Sequence, residues 1–114
     1  MINIEVSIST FDKLVVQKSA HMLLIPAIGG DMGILPEHSL TITQLKFGVV
    51  KFCDNANKIF ASFFVDSGVA RINATNVDLI CENVIEYEEA KNFIHNKQIQ
   101  DNPFYNQIQE YFSK

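Results

Sequence analysis

Apolar and polar residues alternate with a period of two along most of the first 84 positions. Ile2, Ile4, Val6 and Ile8 interleave with Asn3, Glu5 and Ser7, the pattern of a strand with one buried face. Residues 13–17 and 20–26 read as two more strands, the second stopped by Pro26. A turn-rich stretch runs from Ala27 to His38 and holds three of the five glycines and Pro36. Leu40 to Leu45 alternates again, and Gly48 opens a strand through Val49 to Cys53. Asp54-Asn55-Ala56-Asn57 is a hairpin turn signal, and Lys58 to Val65 is the return strand. Asp66-Ser67-Gly68 breaks it. Val69–Ile72 and Val77–Cys81 then form a hairpin around residues 73–76. Short strands at this spacing predict a mainly β fold, a sandwich or barrel, over residues 1–84.

The last 30 residues change period. Asn83 followed by Glu86 resembles a helix start, and Glu86, Glu88 and Glu89 suit the positive end of a helix dipole. Tyr87, Ala90, Phe93 and Ile94 lie at helical spacing. A second start is clearer: Asn102 is a capping residue and Pro103 fits the first helical position. Phe104, Ile108, Tyr111 and Phe112 follow at i, i+4, i+7 and i+8. Residues 85–114 therefore predict a short helical hairpin. Its second arm, about 11 residues or about 16 Å, is marginal alone and needs a surface to pack on.

Two strands are apolar on both faces. Ile59, Ala61, Phe63 and Val65 point one way, and Phe60, Ser62 and Phe64 the other. Met22 to Ile25 shows the same doubling. An antiparallel sandwich ordinarily leaves one face wet, so the second face is expected to be covered by the helical tail, by another protein, or by both. Composition agrees. The 114 residues suffice for one domain, hydrophobic residues make up 47% and charged ones 19%, and mean hydropathy is +0.09. That is apolar for a small globule with much surface to solvate.

Charge and chemistry exclude more than they suggest. The net charge is −4, and Arg71 is the sole arginine beside eight lysines, which argues against a nucleic-acid binder. No apolar run approaches the roughly 20 residues of a membrane span, and MINIEVSIST has neither the look of a secretory signal nor that of a transit peptide. Strand parity places Cys53 outward and Cys81 inward, which argues against pairing and fits a reducing compartment. His21, His38 and His95 fall in no metal-ligand spacing. No nucleophile-elbow motif is present. Gly29-Gly30-Asp31-Met32-Gly33 is followed by Ile34-Leu35-Pro36 rather than a phosphate-binding helix, so it reads as a tight loop. No metal, no cofactor and no catalytic residues are expected.

Two segments carry a family resemblance. GGDMGILPEHSLTITQLKFGVV (Gly29–Val50) resembles the glycine–acid–x–Gly-Ile-x-Pro-Gly-His loop and following strands of the epsilon chain of the rotary ATP synthase. FFVDSGVARINATNVDLICENV (Phe63–Val84) is similar to that family's Phe-Val-Ser-Gly-Gly strand and its Val-x-Leu-x-x-Glu strand. Departures are Glu37 for the loop glycine, Ser39-Leu40 for Ala-Pro, Phe47 for a proline and Val69 for a second glycine. With Glu37 in place of glycine, the turn is expected to manage without a positive φ. The family's ATP-binding signature, an acidic residue shortly before Arg-Ala in the first helix, is absent.

The resemblance implies a non-catalytic central-stalk subunit on the cytoplasmic face of a bacterial inner membrane. Its expected partners are the gamma chain, the membrane rotor ring of c subunits and, through the C-terminal helices, the catalytic head; no nucleic acid is expected. It places Asp31, Glu37 and His38 at the ring-facing end, with His38 either meeting the ring or stabilising its own loop. Leu40, Ile42 and Thr43 lie on a strand that would face a partner, although alternation alone leaves the outward parity open. Phe60 and Phe64 are expected to cover a partner or the tail. The short second arm, with Glu110 balanced by Lys114, predicts weak or absent braking of hydrolysis and no ATP binding by the tail. The competing readings are a free-standing β-sandwich module for carbohydrate or peptide and, with no supporting motif, a small hydrolase.

Overall fold

A computed structural model describes residues 3–96 and 102–114. Ile2, counted in the first alternation, lies outside the described residues. Among the described residues, ten strands precede two helices: β1 (Ile4–Ser9), β2 (Leu14–Ala20), β3 (Met22–Ala27), β4 (Gly30–Ile34), β5 (Thr41–Leu45), β6 (Gly48–Cys53), β7 (Ile59–Val65), β8 (Gly68–Ile72), β9 (Asn76–Cys81), β10 (Val84–Glu86), α1 (Tyr87–His95) and α2 (Pro103–Phe112). They fold into a barrel-like β-sandwich, as the alternation predicts. One layer runs β5-β8-β9-β1-β2 and the other β4-β3-β6-β7-β10, and the single pair Ala27–Leu45 joins them. All pairings are antiparallel except β1 with β9.

The inward parity of both layers makes the main core. Ile4, Val6 and Ile8 of β1 and Val77 and Leu79 of β9 meet Leu23 and Ile25 of β3, Val50 and Phe52 of β6, and Phe63 and Val65 of β7. Fully burying side chains of this size contributes about 1.5–3 kcal/mol each. The turns are held by their own polar side chains. Asp54 Oδ1 accepts from the amides of Ala56 and Lys58 at 2.9 and 3.0 Å. Asn73 Oδ1 does the same for Thr75 and Asn76 at 3.1 and 2.8 Å.

A second apolar cluster lies outside the β7 layer. Phe64, Ile85, Ala90, Phe104 and Ile108 are buried there, with Phe47, Val49, Tyr87 and Phe112 packed against them. The tail therefore covers the Phe64 part of the second apolar face of β7 and leaves Phe60 half-exposed. α2 starts as expected, with Asn102 Oδ1 accepting from the Phe104 amide at 2.9 Å and Pro103 in the first turn.

Several local expectations are corrected. The stretch from Ala27 to His38 is not one loop: residues 30–34 form β4, which pairs with β3 from Leu23–Ile34 to Ala27–Gly30. Pro26 does not stop β3, which continues to Ala27. Asn83 is not a helix cap. It lies between β9 and β10, and β10 pairs with Phe63–Val65 before the helix begins. The cap is Glu86, whose carboxylate accepts from the Glu88 and Glu89 amides at 3.1 and 2.9 Å. The division expected between residues 84 and 85 falls inside β10.

Cys53 is buried, not outward. It lies beside the β6–β7 irregularity, where Phe52 pairs with Ala61 and Cys53 with Ile59. Both cysteines are free thiols.

Candidate interaction surfaces

Register across the first layer sets its outer face. Ile42 of β5 is opposite Arg71 of β8, which is opposite Asp78 of β9, which is opposite Ser7 of β1. The next row is Gln44, Val69, Ile80 and Ser9. Leu45, Ala70, Ile72, Leu79 and Cys81 take the other parity and are buried. This resolves the parity left open by sequence. Ile42 points outward at 70% exposure, next to Leu40 at 71%, while Thr43 is half-buried. Val69 and Ile80, which sequence reasoning passed over, complete an apolar patch on that face. Their parity, opposite to Ala70 and Leu79, was the available signal. Ser7 Oγ donates to Asp78 Oδ1 at 2.7 Å beside the patch.

The structure separates Asp31 from Glu37 and His38. Asp31 is exposed and paired with Pro26, near the end where Ala27 meets Leu45. The hairpin tip residues Phe11 and Ile28, both exposed, lie at this same end. Asp31 also lines an open groove of about 670 Å³ between β3, β6 and α2, with Lys46, Lys51, Glu110, Tyr111 and Lys114. Glu37 sits toward the opposite end, its amide donating to the Ala74 carbonyl in the β8–β9 turn at 2.7 Å. Contrary to expectation, its φ is +69°. A left-handed non-glycine residue costs about 1–2 kcal/mol, here set against that backbone hydrogen bond. His38 Nδ1 lies 2.7 Å from the Ser39 carbonyl oxygen, so the Nδ1–H tautomer donates within its own loop.

Phe64 does not reach a partner in this arrangement. It is fully buried, stacked on Phe47 at 5.9 Å and on Tyr87 at 5.1 Å, with Tyr111 and Phe112 edge-on at 5.1 and 5.5 Å. Phe60, by contrast, stays half in solvent and touches Phe52 at 6.1 Å between ring centres.

The shifted titrations all move away from ionisation at neutral pH. Burial, with Asp66 nearby, pushes the Cys81 thiol up to about 12. Burial and then Asp54 raise Cys53. Burial, followed by the charge and hydrogen bond of Tyr111, raises Tyr87. Thiols held protonated in this way are poor nucleophiles and poor metal ligands. Among the described residues, no group of three His, Cys, Asp or Glu side chains is placed to hold a metal ion. No helix there is long and apolar enough to cross a membrane.

Residues 3–87 match the family described as the ATP synthase delta/epsilon chain, β-sandwich domain. The chain belongs to that family. Among delta/epsilon relatives, the ATP synthase epsilon chain of Hydrogenovibrio crunogenus is 30% identical over 88 residues, 77% of this chain and 60% of that one. The epsilon chain of Clostridium botulinum is 35% identical over 81 residues, 70% of this chain and 59% of that one. The chain thus spans about three-fifths of the length of the curated relatives it matches. The fold is similar to a chain of the Euglena gracilis mitochondrial ATP synthase (OSCP/F1/c-ring), with a TM-score of 0.69 at 21% identity, over 96% of this chain and 74% of that one. It is also similar to a chain of the Tetrahymena thermophila mitochondrial enzyme's central stalk and c-ring, with a TM-score of 0.62 at 13% identity, over 88% and 75%.

Proposed function

We propose that this delta/epsilon-family chain is a non-catalytic central-stalk subunit of a proton-translocating ATP synthase, and that it couples rotation of the rotor ring to the catalytic head. The observation that carries the reading is the outer apolar patch of Leu40, Ile42, Val69 and Ile80 on a rigid two-layer sandwich. Load transfer needs a stiff body and adhesive surfaces, and does not need a reactive group. The patch is assigned to the gamma chain. The end bearing Asp31, Phe11 and Ile28 is assigned to the c subunits of the ring, and Glu37 and His38 at the other end are released from that role. The working location is the cytoplasmic face of a bacterial inner membrane.

The tail is assigned a packing role with weak or absent braking. Its apolar side chains pack on Phe64. No ATP binding by the tail is expected.

The test is co-purification from native membranes of tagged full-length chain and of the double variant Ile42→Lys, Val69→Lys. The wild-type chain should recover a stoichiometric gamma-type partner, and the folded variant should lose it. A wild-type chain that recovers no rotary-motor component overturns the assignment and favours a free-standing binding module. In assembled complexes, chains ending at residue 102 should leave ATP hydrolysis little changed, and a large rise contradicts weak braking.

A further inference from the structure

β10 covers only part of the edge of β7. Its three residues pair with Val65, Phe64 and Phe63. The next residue in that lane, Tyr87, turns into α1. Among the described residues, Ile59, Ala61 and Ser62 of β7 therefore pair with β6 on one side only, and Phe60 has no strand partner. A strand edge left open presents backbone N–H and C=O groups to whatever extended segment can reach them. Here the open length is four residues, about 13 Å.

The open lane coincides with a notch. A cavity of about 210 Å³ is lined by Ile59, Phe60, Ala61, Ser62, Glu86, Tyr87 and Glu88. Ile59 is 53% exposed and Phe60 49%, so its floor is apolar. Its rim is acidic. Glu86 is committed to the α1 amides, while Glu88 is exposed. Phe60 is the extra residue of the β6–β7 irregularity, and this turns its ring onto Phe52 and leaves Ala61 and Ser62 as the regular part of the edge.

We propose that this edge is a strand-addition site: a short extended segment of a partner protein, with a lysine or arginine beside a bulky aliphatic residue, continues the lane of β10 along Ile59–Ser62. Main-chain hydrogen bonds supply the pairing, and the alternate side chains supply selectivity. The aliphatic side chain covers Ile59 and Phe60, and the basic one faces Glu88. A second copy of this chain fits poorly, because edge-to-edge pairing would bring two sets of the same carboxylates together. The inference does not depend on the stalk assignment, since it uses neither the outer patch of β5–β8–β9 nor the Asp31 end.

The probe is a six-residue capped peptide alternating valine with lysine, titrated into the full-length chain and followed by backbone amide NMR. Shifts and slowed exchange should centre on Phe60–Ser62 and Glu88. Glu88→Lys should weaken binding at least about fivefold. A version N-methylated along its pairing edge, which keeps charge and side chains but cannot complete the ladder, should fail to bind. So should a valine–glutamate peptide. Equal binding of the N-methylated peptide, or shifts centred on Ile42 and Val69 instead, overturns the proposal, as does a valine–lysine peptide that leaves the Phe60–Ser62 amides unmoved at millimolar concentration.

Discussion

Asn83 grips both carboxylate oxygens of Asp66. Its amide donates to Oδ1 at 2.8 Å and its Nδ2 to Oδ2 at 2.7 Å. The Asp66 amide returns a bond to the Asn83 carbonyl at 3.3 Å. The β7–β8 and β9–β10 turns are clamped together at the point where the chain leaves one layer for the other. Asp66 is a buried polar side chain, and leaving its partner unsatisfied costs about 1–3 kcal/mol. Asp66→Ala and Asn83→Ala should each lose that much in urea unfolding. The double variant should lose clearly less than the sum of the two.

The β8–β9 approach next to this clamp requires glycine. A Cβ on Gly68 would overlap the Ile80 carbonyl oxygen and come within 2.9 Å of Cys81 Cα. Both obstacles are backbone and have no easy way to yield. Gly68→Ala should destabilise the chain by about 1–3 kcal/mol, read as a fall in the thermal midpoint.

Glu37 makes the opposite prediction. It holds φ at +69°, where glycine carries no Cβ penalty. Glu37→Gly should leave stability unchanged or raise it by up to about 1 kcal/mol. A loss above that figure would show that the carboxylate itself supports the turn.

Phe64 anchors the tail. Phe64→Ala should cost about 3–5 kcal/mol. Because the ring packs on the helices rather than in the main core, the loss should appear first as faster amide exchange in α1 and α2, with β1 and β9 still protected.

Cys81 should be silent to thiol reagents in the native state. Its folded pKa is raised from 9.0 to about 12. Below pH 9 the thiol is protonated in both folded and unfolded chains and contributes no pH dependence. Between pH 9 and 12 only the unfolded chain releases the proton, so stability falls as pH rises through that window. Cys81→Ala should flatten this decline in denaturation midpoints measured against pH.

Local chemistry was legible in the sequence because its causes lie within a few residues. Alternation of Ile4, Val6 and Ile8 marks a strand, Asn102-Pro103 starts a helix, and Asp54 and Asn73 build their own turns. The two glycine-rich and Phe-rich segments also announced the family. Other features required the neighbours to be known. Residues 30–34 look like a loop alone and become a strand only because β3 offers them an edge. Cys53 is buried by neighbours that the alternation of its own strand does not reveal. Asp31 and Glu37, six positions apart, fall toward opposite ends because the chain between them runs along the sandwich. Side-chain periodicity is a property of one segment. Which face is covered, and by what, depends on pairings between distant segments, and those are set by the folded whole.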